Sequence, residues 1–425
     1  MGSVDPVAPE LVAKIFSALY VRQQASRVQW KNAQCNPYCV VEERPLSVVV
    51  RHPNYFTSLP GEYYTSPQIF EQEKEKVFKR KWLYVAHVSQ VREPGDYVTV
   101  RAALESLIVT RDRNGAVRAY FNVCRHRGSQ ICDELSTGKA KAFVCPYHRW
   151  SYGLDGSLLA APAMRNGEDF DYPEFGLQEA HCEVFYGSIY VWLGKEPEMS
   201  LRDQLSGGGM FPINDEKLSS IEPERVKMIH ENRHIAKANW KIVMENNIEC
   251  YHCASGHPDI AVVADLENFY YERGDDGELV ACGVDSSFGL KEDVKTYSMD
   301  GERVCKKRLG NLADGDSFVW ADMVMWSSHP HFCDYSQKMI VHPISVDTSE
   351  IVLQWFVHED AVEGVDYEVK DVIALFSAVA EQDYVFVERQ QRGVSSDRYI
   401  PGPNHSLRET DMEAALLDYI KLMEA

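Results

Sequence analysis

The chain has 425 residues, with 44 Lys and Arg against 64 Asp and Glu, which gives a formal net charge of −20. This surplus of negative charge argues against binding to nucleic acid or to an anionic membrane, because both recruit basic surfaces. Hydrophobic residues make up 45% of the chain, enough for a sizeable core. The length predicts two domains, and no apolar run reaches the roughly 18 residues of a membrane-spanning helix.

The N-terminal sequence and the cysteines predict a cellular compartment. MGSVDPVAPE lacks the basic and apolar regions of a signal peptide, and Pro6 stands where a myristoylation motif requires Ser or Thr. The 11 cysteines are odd in number and do not have the spacing of a disulfide framework. We therefore expect a cytoplasmic protein with reduced thiols, some of which are available as metal ligands.

Hydrophobic periodicity predicts helices first and then a β-rich region. Apolar residues recur at helical spacing in residues 9–25 and in the charged stretch 68–83, so we expect a helix in each. From Tyr97 the period becomes that of strands, and residues 95–194 predict a small antiparallel β domain. The predicted hairpins are 97–111 continued by 116–123 around an Asp-Arg-Asn-Gly turn, 149–162 around Asp155-Gly156, and 182–194 around Gly187.

The second half of the chain mixes helices and strands. A Ser-Gly-Gly-Gly stretch at 206–209 predicts a linker. Beyond it, helices are expected over 238–254 and roughly 366–391, and strands over 331–345 and 350–360. Because these elements do not alternate regularly, the predicted fold class is α+β.

Two loops of the predicted β domain each carry one cysteine and one histidine. They are Cys124-x-His126 and, after 18 intervening residues, Cys145-x-x-His148. A Rieske 2Fe-2S cluster needs two Cys on one iron and two His on the other. A zinc site more often groups Cys with Cys and His with His. The interleaved order therefore favours a Rieske cluster over zinc and over an accidental arrangement.

A second group of candidate metal ligands lies in the other half. His252 and His257 would lie about 140° apart around a regular helix, so they could not bind one metal together. Gly256 and Pro258 predict that the helix ends or distorts before His257. Asp383 lies on an apolar stripe of its predicted helix and therefore faces the interior, where an unpaired carboxylate is costly.

Two histidines and one carboxylate form the facial triad of iron(II) enzymes that activate oxygen. The alternatives are a buried salt bridge from Asp383 to an arginine, and histidines that are simply part of the core.

These motifs resemble the Rieske non-haem iron oxygenases, in their large catalytic subunit, over residues 61–425. The resemblance implies an N-terminal extension (1–60), an antiparallel Rieske domain (61–200) and a helix-grip catalytic domain (201–425) with a mononuclear iron. It also implies a homotrimer, in which the cluster of one subunit faces the iron of its neighbour. The motifs that carry it are Cys124-x-His126, Cys145-x-x-His148, Asn239-Trp240-Lys241, Glu249 with His252 and His257, Gln382-Asp383, Gln391-Arg392-Gly393 and Pro401-Gly402-Pro403.

The resemblance gives Glu249 the role of the carboxylate that connects the two iron centres across the subunit interface. Residues three apart share a helix face, so we expect Asn246, a further candidate catalytic residue, and Glu249 to lie on one face with His252. The alternative is an exposed or ion-paired helix glutamate. Many relatives that act on aromatic rings have Asp at this position, whereas Glu is familiar in oxygenases of quaternary ammonium compounds.

The sequence is most similar to glycine betaine monooxygenase-like and stachydrine demethylase-like enzymes. This resemblance implies oxidative N-demethylation of a quaternary or tertiary methylamine, with O2 as co-substrate and formaldehyde as a product. Hydroxylation of an aromatic ring or another C–H group is the alternative, and a non-catalytic iron–sulfur redox protein is an alternative of another class.

The predicted partners follow from what the chain lacks and from the charge of the substrate. The sequence has no flavin or nicotinamide motif, so electrons from NAD(P)H are expected to arrive through a separate reductase. Aromatic faces would hold a cationic substrate. The conceivable aromatic residues, each of which could instead be a core residue, are Tyr270, Phe288, Trp326 and Phe332.

Overall fold

The computed structural model describes residues 48–52, 54–164, 167, 169–206, 213, 215–266, 270–273, 279–282, 289–321 and 327–425. The helix predicted over 9–25 and residues 207–209 of the predicted linker lie outside these residues.

The described helices and strands are numbered in chain order. The α-helices are α1 (Glu62–Thr65), α2 (Pro67–Lys76), α3 (Leu201–Ser206), α4 (Asp215–Ile221), α5 (Trp240–Asn247), α6 (Cys253–Gly256), α7 (Ile260–Val263), α8 (Val369–Val394) and α9 (Thr410–Glu424). The strands are β1 (Tyr55–Thr57), β2 (Trp82–His87), β3 (Asp96–Ala102), β4 (Glu105–Arg111), β5 (Val117–Phe121), β6 (Thr137–Lys139), β7 (Phe143–Val144), β8 (Ser151–Tyr152), β9 (Leu158–Ala160), β10 (Glu179–Phe185), β11 (Ser188–Trp192), β12 (Val226–Ala236), β13 (Tyr270–Arg273), β14 (Leu279–Cys282), β15 (Ser317–Ala321), β16 (Ser327–Phe332), β17 (Ser336–Ser345), β18 (Thr348–His358) and β19 (Pro403–His405).

The first half of the chain forms a seven-stranded antiparallel sheet in the order β2-β11-β10-β5-β4-β3-β6. The predicted meander is confirmed, with Arg111 paired to Val117 across a turn in which Gly115 has a φ of 87°. The hairpin around Gly187 is confirmed as well. A Cβ at Gly187 would lie 2.5 Å from His87 Nε2, so this glycine also lets the hairpin approach β2 closely.

The helix predicted over 68–83 is shorter than expected. It begins at Pro67, where the Ser66 side chain accepts from the Ile69 amide, and it ends at Lys76. The prediction was wrong for its last part, because Trp82–His87 is the strand β2 and is buried at every position. A short apolar run fits equally well in a strand that is covered on both faces, and packing decides between the two.

The second half forms a five-stranded antiparallel sheet in the order β12-β18-β17-β16-β15. β12 and β18 pair from Val226–His358 to Ala236–Ser349. Strands β17 and β18 confirm the predicted strand regions, although residues 333–335 turn the chain from β16 into β17. The long helix α8 lies against β12 and α5 and buries Val372, Leu375 and Val387.

Both halves contribute to one hydrophobic core, which contains Trp82 and Trp192 of the first sheet and Trp240 and Trp355 of the second half. A smaller separate cluster surrounds the three-stranded sheet β7-β8-β9. The α+β class is confirmed. Among the described residues, no helix has both the length and the apolar character needed to cross a bilayer.

Candidate functional site

The two loops that carry the cysteine–histidine motifs have the same backbone geometry. The amide of Gly128 donates to the carbonyl of Cys124 at 2.9 Å, and the amide of Arg149 donates to that of Cys145 at 3.1 Å. The fifth residue of each loop is left-handed, with φ of 72° at Gly128 and 62° at Arg149. This conformation is costly for a residue with a Cβ, and such residues concentrate at functional sites. Two motifs with different spacing are therefore held by one kind of turn.

These loops bring the two histidines together and bury the two cysteines. The ring centroids of His126 and His148 are 4.5 Å apart, and Cys124 and Cys145 are 3% and 1% exposed. The paired imidazoles and the two buried sulfurs provide the donor set of a Rieske cluster, in which two Cys bind one iron and two His bind the other.

The surroundings of the first site suit a cluster held by neutral imidazoles and thiolates. Loss of hydration, followed by the proximity of His126 and Arg127, lowers the pKa of His148, which favours the neutral form that binds metal. The Tyr152 hydroxyl accepts from the Arg125 amide at 3.1 Å and lies 3.2 Å from Cys124 Sγ, to which it can donate. Sequence reasoning missed Tyr152, although it is the aromatic residue of β8, just after the second motif.

The second group of candidate ligands converges from two distant segments. The Nε2 atoms of His252 and His257 are 3.0 Å apart, and Asp383 Oδ1 lies 3.3 Å and 3.2 Å from them. Metal–ligand bonds of about 2.1 Å that meet at right angles place ligand atoms about 3 Å apart. The three atoms thus have the spacing of a facial triad. Among the described residues, the ion-pair partners of Asp383 are these histidines and not an arginine.

The helix predicted over 238–254 was wrong in its second part. Helix α5 ends at Asn247, and a single turn, α6, follows, with His252 at its N-terminal cap and His257 at its C-terminal cap. The chain therefore leaves the helix well before Gly256. A Cβ on Gly256 would lie 2.8 Å from Phe386 Cε2, so the glycine allows α8 to approach this turn.

The Asn239-Trp240-Lys241 motif anchors α5. The Asn239 side chain accepts from the Lys241 amide at 2.9 Å and caps the helix. Lys241 Nζ and Trp240 Nε1 both donate to the buried carboxylate of Glu73 on α2, at 2.5 Å and 2.8 Å. The motif therefore fixes the position of the helix that precedes the candidate ligands.

Glu249 lies in the turn between α5 and α6, so its predicted place on a helix face with His252 was wrong. Its Oε1 is nevertheless hydrogen-bonded to Nδ1 of His252, and its Oε2 accepts from the amides of Tyr251 and His252 at 2.5 Å and 3.3 Å. Asn246, in the last turn of α5, donates to Asp383 Oδ1 at 3.2 Å. Both predicted residues thus contact the convergent group, although a turn and not a helix face brings Glu249 there.

The electrostatic environment of the two histidines and Asp383 favours a positive charge. Burial alone would lower the pKa of His252, but hydrogen bonds to Asp383 and Glu249 and their charges outweigh burial and raise this pKa to about 9. Burial acts to raise the pKa of Asp383, but hydrogen bonds from both histidines hold it below its usual value. Two carboxylates around two imidazole nitrogens provide the charge that a bound divalent cation needs.

Cys250 and Cys253 form a disulfide in the turn around His252, which contradicts the expectation of reduced thiols for this pair. The turn brings their Cα atoms to 4.9 Å, within the range that a disulfide spans. Cys253 Sγ lies within 4.8 Å of the candidate nitrogens of His252 and His257. A thiolate is the sulfur form that binds metal, so the oxidised Cys253 is a poorer candidate for the third ligand than Asp383.

A small cavity of about 30 Å³ opens beside Asp383. Its lining is mostly apolar, and the ring of Tyr384, one of its polar members, stacks on His234 at 3.6 Å. Phe332 is buried and packs against Tyr335 and Phe376, as expected for a core residue. Phe288, Trp326 and the side chain of Tyr270 lie outside the described residues. The lining consists of Val243, Asn246, Asn247, Met339, Ile351, Leu353, Ala380, Asp383, Tyr384 and Val387.

Comparison with known proteins gives a family match for each half of the chain. Residues 81–178 match the Rieske [2Fe-2S] domain, and residues 223–424 match the catalytic domain of the ring hydroxylating alpha subunit. The glycine betaine monooxygenase oxygenase subunit of Chromohalobacter salexigens is 32% identical over 81% of this chain and 81% of that protein. The chain belongs to the Rieske non-haem iron oxygenases.

Other members of this oxygenase family are also similar. The carnitine monooxygenase oxygenase subunit of Acinetobacter baumannii is 28% identical over 82% of this chain and 88% of that protein. The solved structure of a quaternary ammonium Rieske monooxygenase has a TM-score of 0.68 at 23% identity, over 86% of this chain and 94% of that one. Naphthalene 1,2-dioxygenase from Rhodococcus sp. has a TM-score of 0.64 at 19% identity, with the same coverage. The shared fold therefore hosts different substrates.

Membership of the Rieske oxygenases confirms the expected enzyme class and excludes a purely electron-carrying protein. It implies a Rieske cluster and a mononuclear iron as cofactors and O2 as co-substrate. Sequence reasoning included Gln382 in the Gln382-Asp383 motif but assigned it no contact, and it missed Asp259. In the structure Gln382 accepts from His257 Nδ1 at 2.8 Å.

Proposed function

We propose that this Rieske oxygenase removes an N-methyl group from a quaternary or tertiary methylamine of the glycine betaine or stachydrine type. The observation that carries the proposal is the convergence of His252, His257 and Asp383 beside a cavity, in a chain whose relatives are glycine betaine and carnitine monooxygenase oxygenase subunits. Glu249, in place of Asp, supports the same substrate class.

The ligand sets are part of this proposal. Two imidazoles and two thiolates would hold the cluster, and the facial triad would hold the mononuclear iron. We assign residues 1–60 to an extension, 61–200 to the Rieske domain and 201–425 to the catalytic domain. The proposed cluster ligands are Cys124, His126, Cys145 and His148, and the proposed iron ligands are His252, His257 and Asp383.

When bound, the two iron centres supply electrons and activate O2. One oxygen atom enters a C–H bond of the methyl group and the other leaves as water, which takes up two protons and two electrons; the electrons come from NAD(P)H through a separate reductase. The resulting N-hydroxymethyl group loses formaldehyde as the C–N bond breaks and nitrogen keeps the electron pair. A quaternary ammonium ion thereby becomes a tertiary amine and releases one proton.

The residues of the chain orient the reacting groups. The Glu249 carboxylate accepts from Nδ1 of His252 and leaves Nε2 for the metal, while Asn246 donates to Asp383 Oδ1 and holds that carboxylate in place. The mostly apolar lining of the cavity suits methyl groups. These contacts support the roles of Glu249 and Asn246 as catalytic-site residues.

We further propose a cytoplasmic homotrimer in which Glu249 connects the two centres of neighbouring subunits. His126 is exposed and the Glu249 side chain retains 13% exposure, so both ends of the proposed connection reach the surface of a single chain. Such an interface would bury the histidines of the cluster and the carboxylate that orients His252.

A formaldehyde assay over a panel of amines tests the proposed function. The purified protein, an iron–sulfur flavin reductase and NADH are incubated with betaines, carnitine and other N-methylated amines, with the corresponding amine that carries no N-methyl group as a matched control. We expect formaldehyde and the lower amine in equal amounts for at least one betaine-type substrate.

The alternatives give different products. Hydroxylated aromatic compounds without formaldehyde would replace N-demethylation by ring hydroxylation. An Asp383→Ala variant is the negative control, because it keeps the cluster and should yield neither product.

A further inference from the structure

The mononuclear site contains a chain of hydrogen bonds beyond the three proposed ligands. His257 Nδ1 lies 2.8 Å from Gln382 Oε1, and Gln382 Nε2 donates to Asp259 Oδ2 at 3.1 Å. His257 is only 1% exposed. The ring is therefore held by protein groups and not by bulk water.

The chemistry of these groups fixes the direction of each hydrogen bond. A carboxylate only accepts, so the NH2 group of Gln382 faces Asp259. The oxygen of the same amide then faces His257, and because it also only accepts, the proton of the neutral imidazole lies on Nδ1. In the neutral imidazole that would bind iron, the lone pair is then on Nε2, the atom that lies 3.2 Å from Asp383 Oδ1 in this structure.

One turn of α8 supplies contacts to both nitrogens of this ring. Gln382 and Asp383 are consecutive and lie about 100° apart around the helix. They reach opposite edges of the His257 imidazole, Nδ1 and Nε2. Rotation of the ring would break both contacts together, so the helix fixes its orientation.

The two histidines of the site have unlike partners. His252 is hydrogen-bonded to a carboxylate, that of Glu249, whereas His257 donates to a neutral amide. A carboxylate acceptor increases the basicity of a metal-binding imidazole. At His257, the amide of Gln382 lies between the imidazole and the carboxylate of Asp259. Asp259 therefore orients Gln382, and its hydrogen bond is to that amide and not to the imidazole.

We propose that Gln382, oriented by Asp259, is a positioning residue that keeps Nδ1 of His257 protonated and its Nε2 free to bind iron. This proposal rests on the ligand set of the proposed function. Without the amide, the ring can rotate or adopt the other tautomer, in which Nε2 carries the proton. Substitution of a residue that orients a metal-binding histidine commonly weakens metal binding by roughly 10- to 100-fold.

Iron(II) binding provides a test that does not depend on turnover. The full chain keeps its cluster, the mononuclear metal is removed, and iron(II) is titrated back. We expect Gln382→Ala to weaken iron(II) binding roughly 10- to 100-fold and to change the EPR spectrum of the nitric oxide adduct. The visible spectrum of the cluster should not change. Glu381→Gln, at the adjacent exposed position of α8, is the matched control and should behave like the unmodified protein.

A double variant that exchanges the amide and the carboxylate of this pair distinguishes a role of Gln382 in orienting His257 from a role in packing alone. Gln382→Glu places two carboxylates against each other and should weaken iron(II) binding. Adding Asp259→Asn restores one amide and one carboxylate in the opposite order, with an acceptor still facing Nδ1. Iron(II) affinity should recover in this double variant, which nearly conserves both side-chain volumes. Because of this conservation, it decides the question if Gln382→Ala fails to fold.

The outcomes distinguish this proposal from the proposed function. Unchanged iron(II) affinity and nitrosyl spectrum in Gln382→Ala, or no recovery in the double variant, would overturn the role of Gln382. If Asp383→Ala loses iron while Gln382→Ala binds it normally, only the positioning role is wrong. If Asp383→Ala retains its iron, the ligand set of the proposed function is wrong.

Discussion

The two candidate metal sites differ in how much of the chain is needed to build them. Each cluster loop is a five-residue turn closed by its own backbone, Gly128 to Cys124 and Arg149 to Cys145. The mononuclear site instead requires a turn after α5 and a side chain from α8, and its contact between Asn246 and Asp383 spans 137 positions. The first site therefore depends mainly on local turns, and the second on the packing of helices.

This difference predicts how far the effect of a substitution extends at each site. A substitution in a cluster loop changes a turn whose closing hydrogen bond lies within the loop itself. A substitution around α5 or α8 moves ligands relative to one another, because α5 is held through Glu73 on α2 and α8 through its apolar face. The following predictions test this contrast, from the largest expected effect to the smallest.

The largest effect is the separate loss of each metal. Cys145→Ser should abolish the visible cluster spectrum, since a thiolate ligand is lost, and leave mononuclear iron in place. His252→Ala should leave that spectrum intact and remove the mononuclear iron. Iron analysis and visible spectroscopy measure both. Loss of the cluster in His252→Ala would show that the two sites are not independent.

Glu249→Gln tests the connection between the sites. The glutamine keeps the size of the side chain but loses its charge, so both metals should stay bound while turnover falls by roughly 100-fold. The measurement is single-turnover oxidation of the pre-reduced protein with substrate and O2. Glu381→Gln serves as the control. A Glu249→Gln protein that forms product at the unmodified rate would remove this role and the main argument for a trimer.

The free energy of unfolding should depend on pH through Glu245, a buried residue of α5. Burial raises the pKa of Glu245 to about 7, although a hydrogen bond from Tyr64 and the charge of Lys241 oppose the shift. Because the folded pKa lies above the unfolded one, the folded protein binds the proton more tightly and loses stability as pH rises from about 4.5 to 7. The full change is about 3 kcal/mol.

Glu245→Gln should remove this pH dependence, since the amide cannot ionise in this range and can still accept from Tyr64. Urea unfolding at several pH values between 5 and 7 measures it. Parallel stability curves for the two proteins would contradict the raised pKa.

The smallest effect compares the two cluster loops. Gly128 is left-handed with no heavy atom within 4 Å of an added Cβ, so Gly128→Ala should cost about 1 kcal/mol of unfolding free energy from backbone strain alone. Arg149→Gly relieves the same strain but frees the unfolded chain, so we expect a net change below about 0.5 kcal/mol. Thermal unfolding measures both, and equal costs would contradict the shared turn.

The predictions that rest on local turn residues were confirmed, whereas two that depend on tertiary packing were wrong. The hairpins around Gly115 and Gly187 could be predicted because turn residues and alternation are local properties. The helix expected to continue to Leu83 failed because Trp82–His87 is covered on both faces, which only the packed structure reveals. The same limit explains Glu249, whose spacing suited a helix face although a turn presents it to His252.

The sequence by itself determined the residue types at both sites. Interleaved Cys and His indicate a Rieske cluster, and Asp383 on an apolar helix face with two histidines elsewhere indicates a facial triad. These are properties of spacing and side-chain chemistry, so they can be read without coordinates. The assignment of Asp383 depended on the cost of burying a carboxylate, which its periodicity alone reveals.

Only the tertiary structure decided how the ligands are oriented. The order of atoms from Asp259 through Gln382 to His257 joins positions 125 apart in the chain, and no local pattern encodes it. The disulfide between Cys250 and Cys253 likewise depends on the turn that replaces a continued helix. Hydrogen bonds require specific distances and directions between atoms, and packing sets these where residue spacing does not.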